Sequence, residues 1–133
     1  PHMHRAISEG IAMGLKHAAT PQTARLGLPD TIVAAGGGAH SELLLQIKAD
    51  VFNVPFLPVS QVECGLLGGA ALAFSSLGYF SSIEEAAEHL VRYDDPIEPD
   101  TKAVRSYGEL FEVFSEARSA LRNLNDSINR LSN

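Results

Sequence analysis

The stretch Thr31-Ile-Val-Ala-Ala-Gly-Gly-Gly-Ala-His-Ser-Glu-Leu-Leu-Leu-Gln-Ile-Lys-Ala-Asp50 constrains the fold more than any other part of this sequence. Thr31 to Ala35 is a short apolar run that opens with β-branched residues, the pattern of a buried strand. Gly36, Gly37 and Gly38 follow at once, so the backbone can turn sharply and no side chain blocks close approach. Ser41 is placed to cap a helix, and Leu43, Leu44, Ile47 and Val51 recur at helical spacing. A strand, a glycine turn and a helix N-terminus together offer bare backbone against which a nucleotide can lie.

On local chemistry alone, the same three glycines also describe a plain strand-to-helix turn. The run is not the dinucleotide fingerprint, because Ser41 stands where the third glycine belongs. It also lacks the lysine of a phosphate-binding P-loop. No acidic residue ends the second strand to hold a ribose, which disfavours a small dinucleotide-binding domain.

The remaining blocks narrow the choice. Gly36 to Pro55, Arg5-Ala-Ile-Ser-Glu-Gly-Ile-Ala before it and Glu63-Cys-Gly-Leu-Leu-Gly-Gly-Ala-Ala-Leu-Ala after it stand in order, followed by Leu77-Gly-Tyr-Phe and Pro99-Asp…Tyr107. In that order they resemble the C-terminal part of the FGGY family of carbohydrate kinases, over residues 5 to about 118. The resemblance implies an α/β chain that is part of an actin-like ATPase (ribonuclease H-like) domain. Such a part has two parallel strands with flanking helices and a long C-terminal helix. It implies ATP as the co-substrate and a sugar or polyol hydroxyl as the acceptor, with the Ala-rich helix at Glu63 and Leu77-Gly-Tyr-Phe favouring a ketopentose such as xylulose. Carried over residue by residue, Gly36 and Gly37 match the glycines lying against the nucleotide. Gly38 lines the turn, and Ser41 matches a polar position near the adenine, where relatives often carry Asn.

The same resemblance places the catalytic base, the Mg²⁺ ligands and a further phosphate loop upstream of this sequence. No catalytic residue and no metal ligand is therefore expected within it, and the chain alone is expected to be inactive. The alternative is a non-catalytic, nucleotide-binding regulatory module of the same architecture.

Composition agrees with a soluble globular domain: 133 residues, 45% hydrophobic and 20% charged. A net charge of −6 argues against nucleic acid as a partner. Seven of the sixteen acids fall between Glu84 and Asp100, the pattern of a solvated acidic face. Cys64 alone makes neither a disulfide framework nor a thiolate zinc site, and reads as a small buried hydrophobe. No apolar run reaches the ~18 residues of a membrane span and no signal peptide is visible, so a cytoplasmic location is expected. Pro1-His2-Met3 reads as a tag remnant, leaving residues 4–133 as the C-terminal portion of the nucleotide-binding domain.

Along the chain, the first helix is expected from Arg5 to about Thr20, stopped by Pro21, with Gly10 and Gly14 admitting a close neighbour. Strands are expected at Ile32–Ala35 and Val54–Val59, the prolines of the second marking an edge or a strand end. Helices follow from Ser41 to Phe52 and from Glu63 to Leu77. A Ser82–Glu85 capping box opens a further one to Leu90. Tyr93 to Pro99 reads as an acidic loop. From Thr101 a long helix carries Val104, Tyr107, Leu110, Phe111, Phe114, Ala117, Leu121, Leu124, Ile128 and Leu131 on one stripe. With only two strands, an open sheet edge and an uncovered apolar surface are expected to drive homodimer formation or to leave the chain marginally stable.

Overall fold

The computed structural model describes residues 2–122 and residue 130. Eight elements follow in order: α1 (His2–Leu26), β1 (Ile32–Ala34), a 3₁₀ turn (Gly37–His40), α2 (Glu42–Phe52), β2 (Phe56–Pro58), α3 (Cys64–Ser76), α4 (Ile83–Leu90) and α5 (Thr101–Ala120). β1 and β2 pair in parallel, with Ile32 opposite Phe56, Val33 opposite Leu57 and Ala34 opposite Pro58. The β1–α2–β2 unit is thus a parallel crossover with its helix packed across the strands.

The far side of β2 carries two antiparallel bridges, Phe56 with Ile97 and Val59 with Tyr93. Phe56 and Ile97 exchange both backbone hydrogen bonds (3.0 and 2.8 Å), and the Asp94 N–H donates to the Pro58 carbonyl at 3.0 Å. Pro58 is tolerated because it contributes only its carbonyl to this short pairing. The acidic loop at Tyr93–Pro99 is thus tied to β2 by two isolated bridges. The open edge belongs to β1, which has no other strand beside it among the described residues and leaves Val33 half-exposed.

α1 does not stop at Pro21; it continues to Leu26. Proline removes one N–H but its φ fits a helix, and neighbouring hydroxyls support the backbone there: Thr20 Oγ1 donates to the Lys16 carbonyl at 2.9 Å. The stop comes at Gly27, whose φ of +84° closes the last turn as its N–H donates to the Thr23 carbonyl. α2 ends similarly at Asn53, a left-handed residue with φ 55°.

The core gathers Ala12 and Met13 of α1, Ala34 of β1, Phe56 of β2, Tyr107 of α5 and the inner face of α2, where Leu45, Ile47 and Val51 are almost fully buried. Lys16 on α1 donates from Nζ to the Val51 carbonyl at 2.6 Å, meeting the negative end of α2, and lies 4.7 Å from the Phe111 ring centre. Burial lowers its pKa. At the other end of the α1–α5 contact, Arg5 Nη2 donates to the Tyr107 hydroxyl at 2.9 Å, and that hydroxyl donates to Glu9 Oε1 at 2.8 Å.

Asp50 is 4% exposed at the end of α2. Its Oδ1 accepts from the Asp100 N–H at 2.8 Å and from Gln46 Nε2 at 2.9 Å, and Gln46 Nε2 also donates to the Glu98 carbonyl at 2.9 Å. This clamp fixes where α5 begins, and Asp100 then caps α5 through the Lys102 N–H at 2.8 Å.

Other expectations shift in detail. Ser82 caps α4, accepting from the Glu85 N–H at 3.2 Å, but the Glu85 carboxylate reaches back to the Ser81 N–H rather than to Ser82. Contacts with Ser81 hold the Glu85 carboxyl below its usual range. Cys64 is half-buried, not buried, because it opens α3 and lines a cavity. Gly10 and Gly14 of α1 and Gly65, Gly68 and Gly69 of α3 face open space, so none of them admits a close neighbour among the described residues. The apolar outer residues Ile7, Ile11 and Leu15 of α1 and Leu66 and Leu72 of α3 are exposed. The expected stripe divides: Tyr107, Phe111 and Phe114 of α5 pack on the core, joined by Ala103, while Leu110 of α5 and Leu121 just past its end face out, as does Val113. Leu124, Ile128 and Leu131 lie outside the described residues.

Candidate functional site

The site is built where β1 ends. Ala34 is buried in the sheet, and at Gly36 the chain leaves it with φ 80° and ψ −172°, a conformation that a side chain would strain. Gly37 to His40 then wind into the 3₁₀ turn, closed by the Ala39 N–H donating to the Gly36 carbonyl at 2.9 Å. Ala39 is buried and anchors the turn, while Gly37 and Gly38 lie at the surface.

Ser41 follows in extended conformation and caps α2, its Oγ accepting from the Leu44 N–H at 3.4 Å. The hydroxyl hydrogen of Ser41 has no acceptor among the described residues, so it is free to donate. Gly36, Gly37, Gly38 and Ser41 are thus brought onto one turn and the helix start it feeds. A Cβ added at Gly36 or Gly37 would meet nothing within 4 Å, and one at Gly38 would touch Leu44 at 3.7 Å. The glycines border open space rather than a filled interior.

Two hollows lie beside the turn. One, of about 300 Å³, is apolar and is lined by Ala35, Val59, Cys64, Leu67, Ala71 and Tyr93 among others. The other, of about 380 Å³, is acidic, with Glu42, Asp94 and Asp95 around Ala39, His40 and Pro58. Asp94 and Asp95 come from more than fifty residues away in the sequence, carried there by the bridging of the 93–97 run to β2. Nothing in the local sequence marks them as neighbours of the glycine turn; only the long-range pairing does. Asp94 Oδ1 is held by the Ser60 hydroxyl at 2.6 Å.

The electrostatics divide the surroundings. Three carboxylates beside the turn repel polyphosphate, whereas the apolar hollow and the open backbone suit a flat, uncharged ring system. Among the described residues no cluster of three or more His, Cys, Asp or Glu side chains is placed to hold a metal ion. Nor is any described helix long and apolar enough to cross a membrane.

The family described as "FGGY family of carbohydrate kinases, C-terminal domain" matches residues 1–77. The xylulose kinase of Bacillus subtilis (strain 168) is 32% identical over 128 residues, covering 96% of this chain and 26% of that protein. Among solved structures, a ligand-bound xylulose kinase from Lactobacillus acidophilus superposes with a TM-score of 0.82 at 32% identity, covering 92% of this chain and 25% of the other. A gluconate kinase from the same organism gives 0.81 at 32% identity, with 91% and 24% covered. The chain spans about a quarter of the length of these relatives.

Proposed function

The chain belongs to the FGGY family of carbohydrate kinases, as C-terminal domain, and on that premise we propose that it forms the adenosine-binding part of an ATP-dependent kinase. Its strands, flanking helices and long C-terminal helix are part of the actin-like, ribonuclease H-like α/β fold. The acceptor is a sugar or polyol hydroxyl, and a ketopentose such as xylulose suits the similarity to xylulose kinases best.

The observation that carries the reading is the open face of the Gly36–Gly38 turn at the end of a parallel strand, with the Ser41 hydroxyl one helix start away. In this assignment Gly36 and Gly37 give backbone against which the nucleoside rests, and Ser41 donates its hydroxyl hydrogen toward the base. Gly38 completes the turn. The neighbouring carboxylates keep the triphosphate pointed away, toward groups outside this chain. ATP supplies the transferred phosphoryl group. The base for the attacking hydroxyl and the Mg²⁺ ligands are assigned to the rest of the kinase. Residues 4–133 are then a portion of the nucleotide-binding domain, working in the cytoplasm. The exposed apolar faces of α1 and α3 and the open edge of β1 are where its remainder packs.

The test is Gly37→Val in the kinase that carries this domain, assayed by ADP release with ATP, Mg²⁺ and a panel of ketopentoses, gluconate and polyols. Turnover of the parent enzyme on one acceptor names the substrate. The Val side chain has room in the folded chain but occupies the nucleoside's place. The KM for ATP is expected to rise roughly 100-fold, about 2.7 kcal/mol, with the melting temperature unchanged. An unchanged KM would remove Gly37 from the site. ADP binding without turnover on any acceptor would favour the regulatory module instead.

A further inference from the structure

A site for a purine nucleotide has to tell adenine from guanine, and the two differ in what they offer at ring position 6. Adenine presents an amino group that donates; guanine presents a carbonyl oxygen that accepts. An ionised carboxylate only accepts, so it pairs with the first and repels the second. The hollow beside the glycine turn places three carboxylates, those of Glu42, Asp94 and Asp95, in one lining with His40 of the turn itself.

Two of the three are already in use. Asp94 Oδ1 accepts from the Ser60 hydroxyl at 2.6 Å. Glu42 stands in the first turn of α2, where its charge meets the positive end of that helix. Asp95 lines the hollow with no hydrogen bond or ion pair among the described residues. Its backbone is nevertheless fixed. The Val59–Tyr93 and Phe56–Ile97 bridges hold the loop on either side of it, and the Asp94 N–H donates to the Pro58 carbonyl at 3.0 Å. Pro96 further restricts the residue before it. A firmly carried acceptor without a partner, beside an open hollow of about 380 Å³, is placed to recognise a ligand.

Ser41 offers the opposite sense of hydrogen bond. Its Oγ accepts from the Leu44 N–H at 3.4 Å and its hydrogen is free, and it stands between His40 and Glu42, which both line the hollow. A donor from the turn and an acceptor from the 93–97 loop match the pairing edge of adenine, where N1 accepts and the amino group donates. Guanine reverses both. The serine hydroxyl can rotate to suit either base, but the carboxylate cannot, so the discrimination falls on Asp95.

We infer that Asp95 accepts from the exocyclic amino group of the purine and selects adenine over guanine nucleotides, with Ser41 donating to the ring nitrogen beside it. This rests on the nucleotide assignment of the Gly36–Gly38 turn and adds to it a residue more than fifty positions away in the sequence.

The test is binding of ADP, GDP and purine riboside diphosphate to the intact kinase that carries this domain, read by isothermal titration calorimetry. Purine riboside lacks the 6-amino group and puts nothing in its place. The wild type is expected to bind ADP about 10-fold more tightly than purine riboside diphosphate and about 100-fold more tightly than GDP. Asp95→Ala is expected to remove the first difference, leaving ADP and purine riboside diphosphate alike. Losing the charge also eases repulsion of the phosphates, but equally for every nucleotide, so the ratio of affinities is the quantity read. Asp95→Asn, whose amide can donate to O6, is expected to bring GDP within about 10-fold of ADP. Asp95 is exposed, so both variants are expected to keep the wild-type Tm. An unchanged ratio of ADP to purine riboside diphosphate in Asp95→Ala would overturn the proposal, whether all affinities fall together or none moves. Gly37→Val tells that failure from a deeper one. If it weakens ADP while the Asp95→Ala ratio holds, only the role of Asp95 is lost; if it leaves ADP untouched, the nucleotide assignment and this proposal fall together.

Discussion

Replacing Asp50 by Ala tests the clamp that joins α2 to α5. In the structure Asp50 Oδ1 accepts from the Asp100 N–H at 2.8 Å and from Gln46 Nε2 at 2.9 Å, with Asp50 itself only 4% exposed. Hydrogen bonds to a charged acceptor contribute about 1.5–3 kcal/mol each. Gln46 keeps its second acceptor, the Glu98 carbonyl, so its loss is largely relieved. The Asp100 N–H is left without a protein partner, and that stranded donor carries most of the penalty. Asp50→Ala is therefore expected to cost about 2–3 kcal/mol, lowering Tm by roughly 8–12 °C for a domain of this size. Asp50→Asn retains an acceptor at the same place and is expected to cost about 1 kcal/mol. Urea unfolding followed by far-UV circular dichroism measures both, with the denaturant slope expected to stay constant. Amide exchange at Asp100 through Val104 should accelerate in the Ala variant beyond the global loss, because α5 loses its fixed start. An Asp50→Ala effect below about 0.5 kcal/mol, or an Asn variant as damaged as the Ala variant, would refute the assignment of the clamp.

The glycines of the turn should separate under substitution. Gly36→Ala places a side chain at φ 80° and is expected to cost about 1–3 kcal/mol, whereas Gly37→Ala meets open space and is expected to stay within about 0.5 kcal/mol; thermal melts of the two variants decide this. Tyr107→Phe removes the hydroxyl between Arg5 and Glu9 and is expected to cost about 1 kcal/mol in urea titrations at neutral pH. Burial, and then its hydrogen bond to Glu9, raises the Tyr107 pKa above its ordinary value. A raised pKa in the folded state contributes stability that is complete below about pH 10 and is lost as pH climbs through the folded value. The urea midpoint of the wild type should thus fall more steeply above about pH 10 than that of Tyr107→Phe, and equal slopes would refute this.

Much of the arrangement was legible in the residues. The Thr31–Asp50 stretch announces its strand, turn and helix because each local signal agrees: β-branched residues, glycines, a capping Ser and 3.6-residue spacing. The gathering of Gly36, Gly37, Gly38 and Ser41 on one turn follows from adjacency in sequence alone. What escaped was decided at a distance. Pro21 looks like a terminus until Gly27 is seen to provide the real one. Pro55 and Pro58 mark the short edge strand β2, but the isolated bridges from Tyr93 and Ile97 to its far side have no local signal. The acidic hollow depends on the same bridges, so no local pattern could have placed Asp94 and Asp95 beside His40. The long C-terminal stripe is continuous in sequence, and only packing against α1 and α2 divides it into a buried and an exposed half.

The Arg5–Tyr107–Glu9 tie has a consequence for how the chain is made. Its partners stand 102 and 98 residues apart. At about 5–20 residues per second, a ribosome that has just released Glu9 needs some 5–20 s more to produce Tyr107. During that interval α1 can already lie on α2, since Ala12, Met13 and Lys16 find their partners within the first half of the chain. At the polar end of α1, Arg5 Nε and Glu9 Oε1 hold each other at 2.9 Å, but their bonds to Tyr107 wait for α5, the last described helix to emerge. A nascent chain stalled before residue 100 should hold the crossover unit and the Arg5–Glu9 pair, with the place of the Tyr107 hydroxyl between them still open.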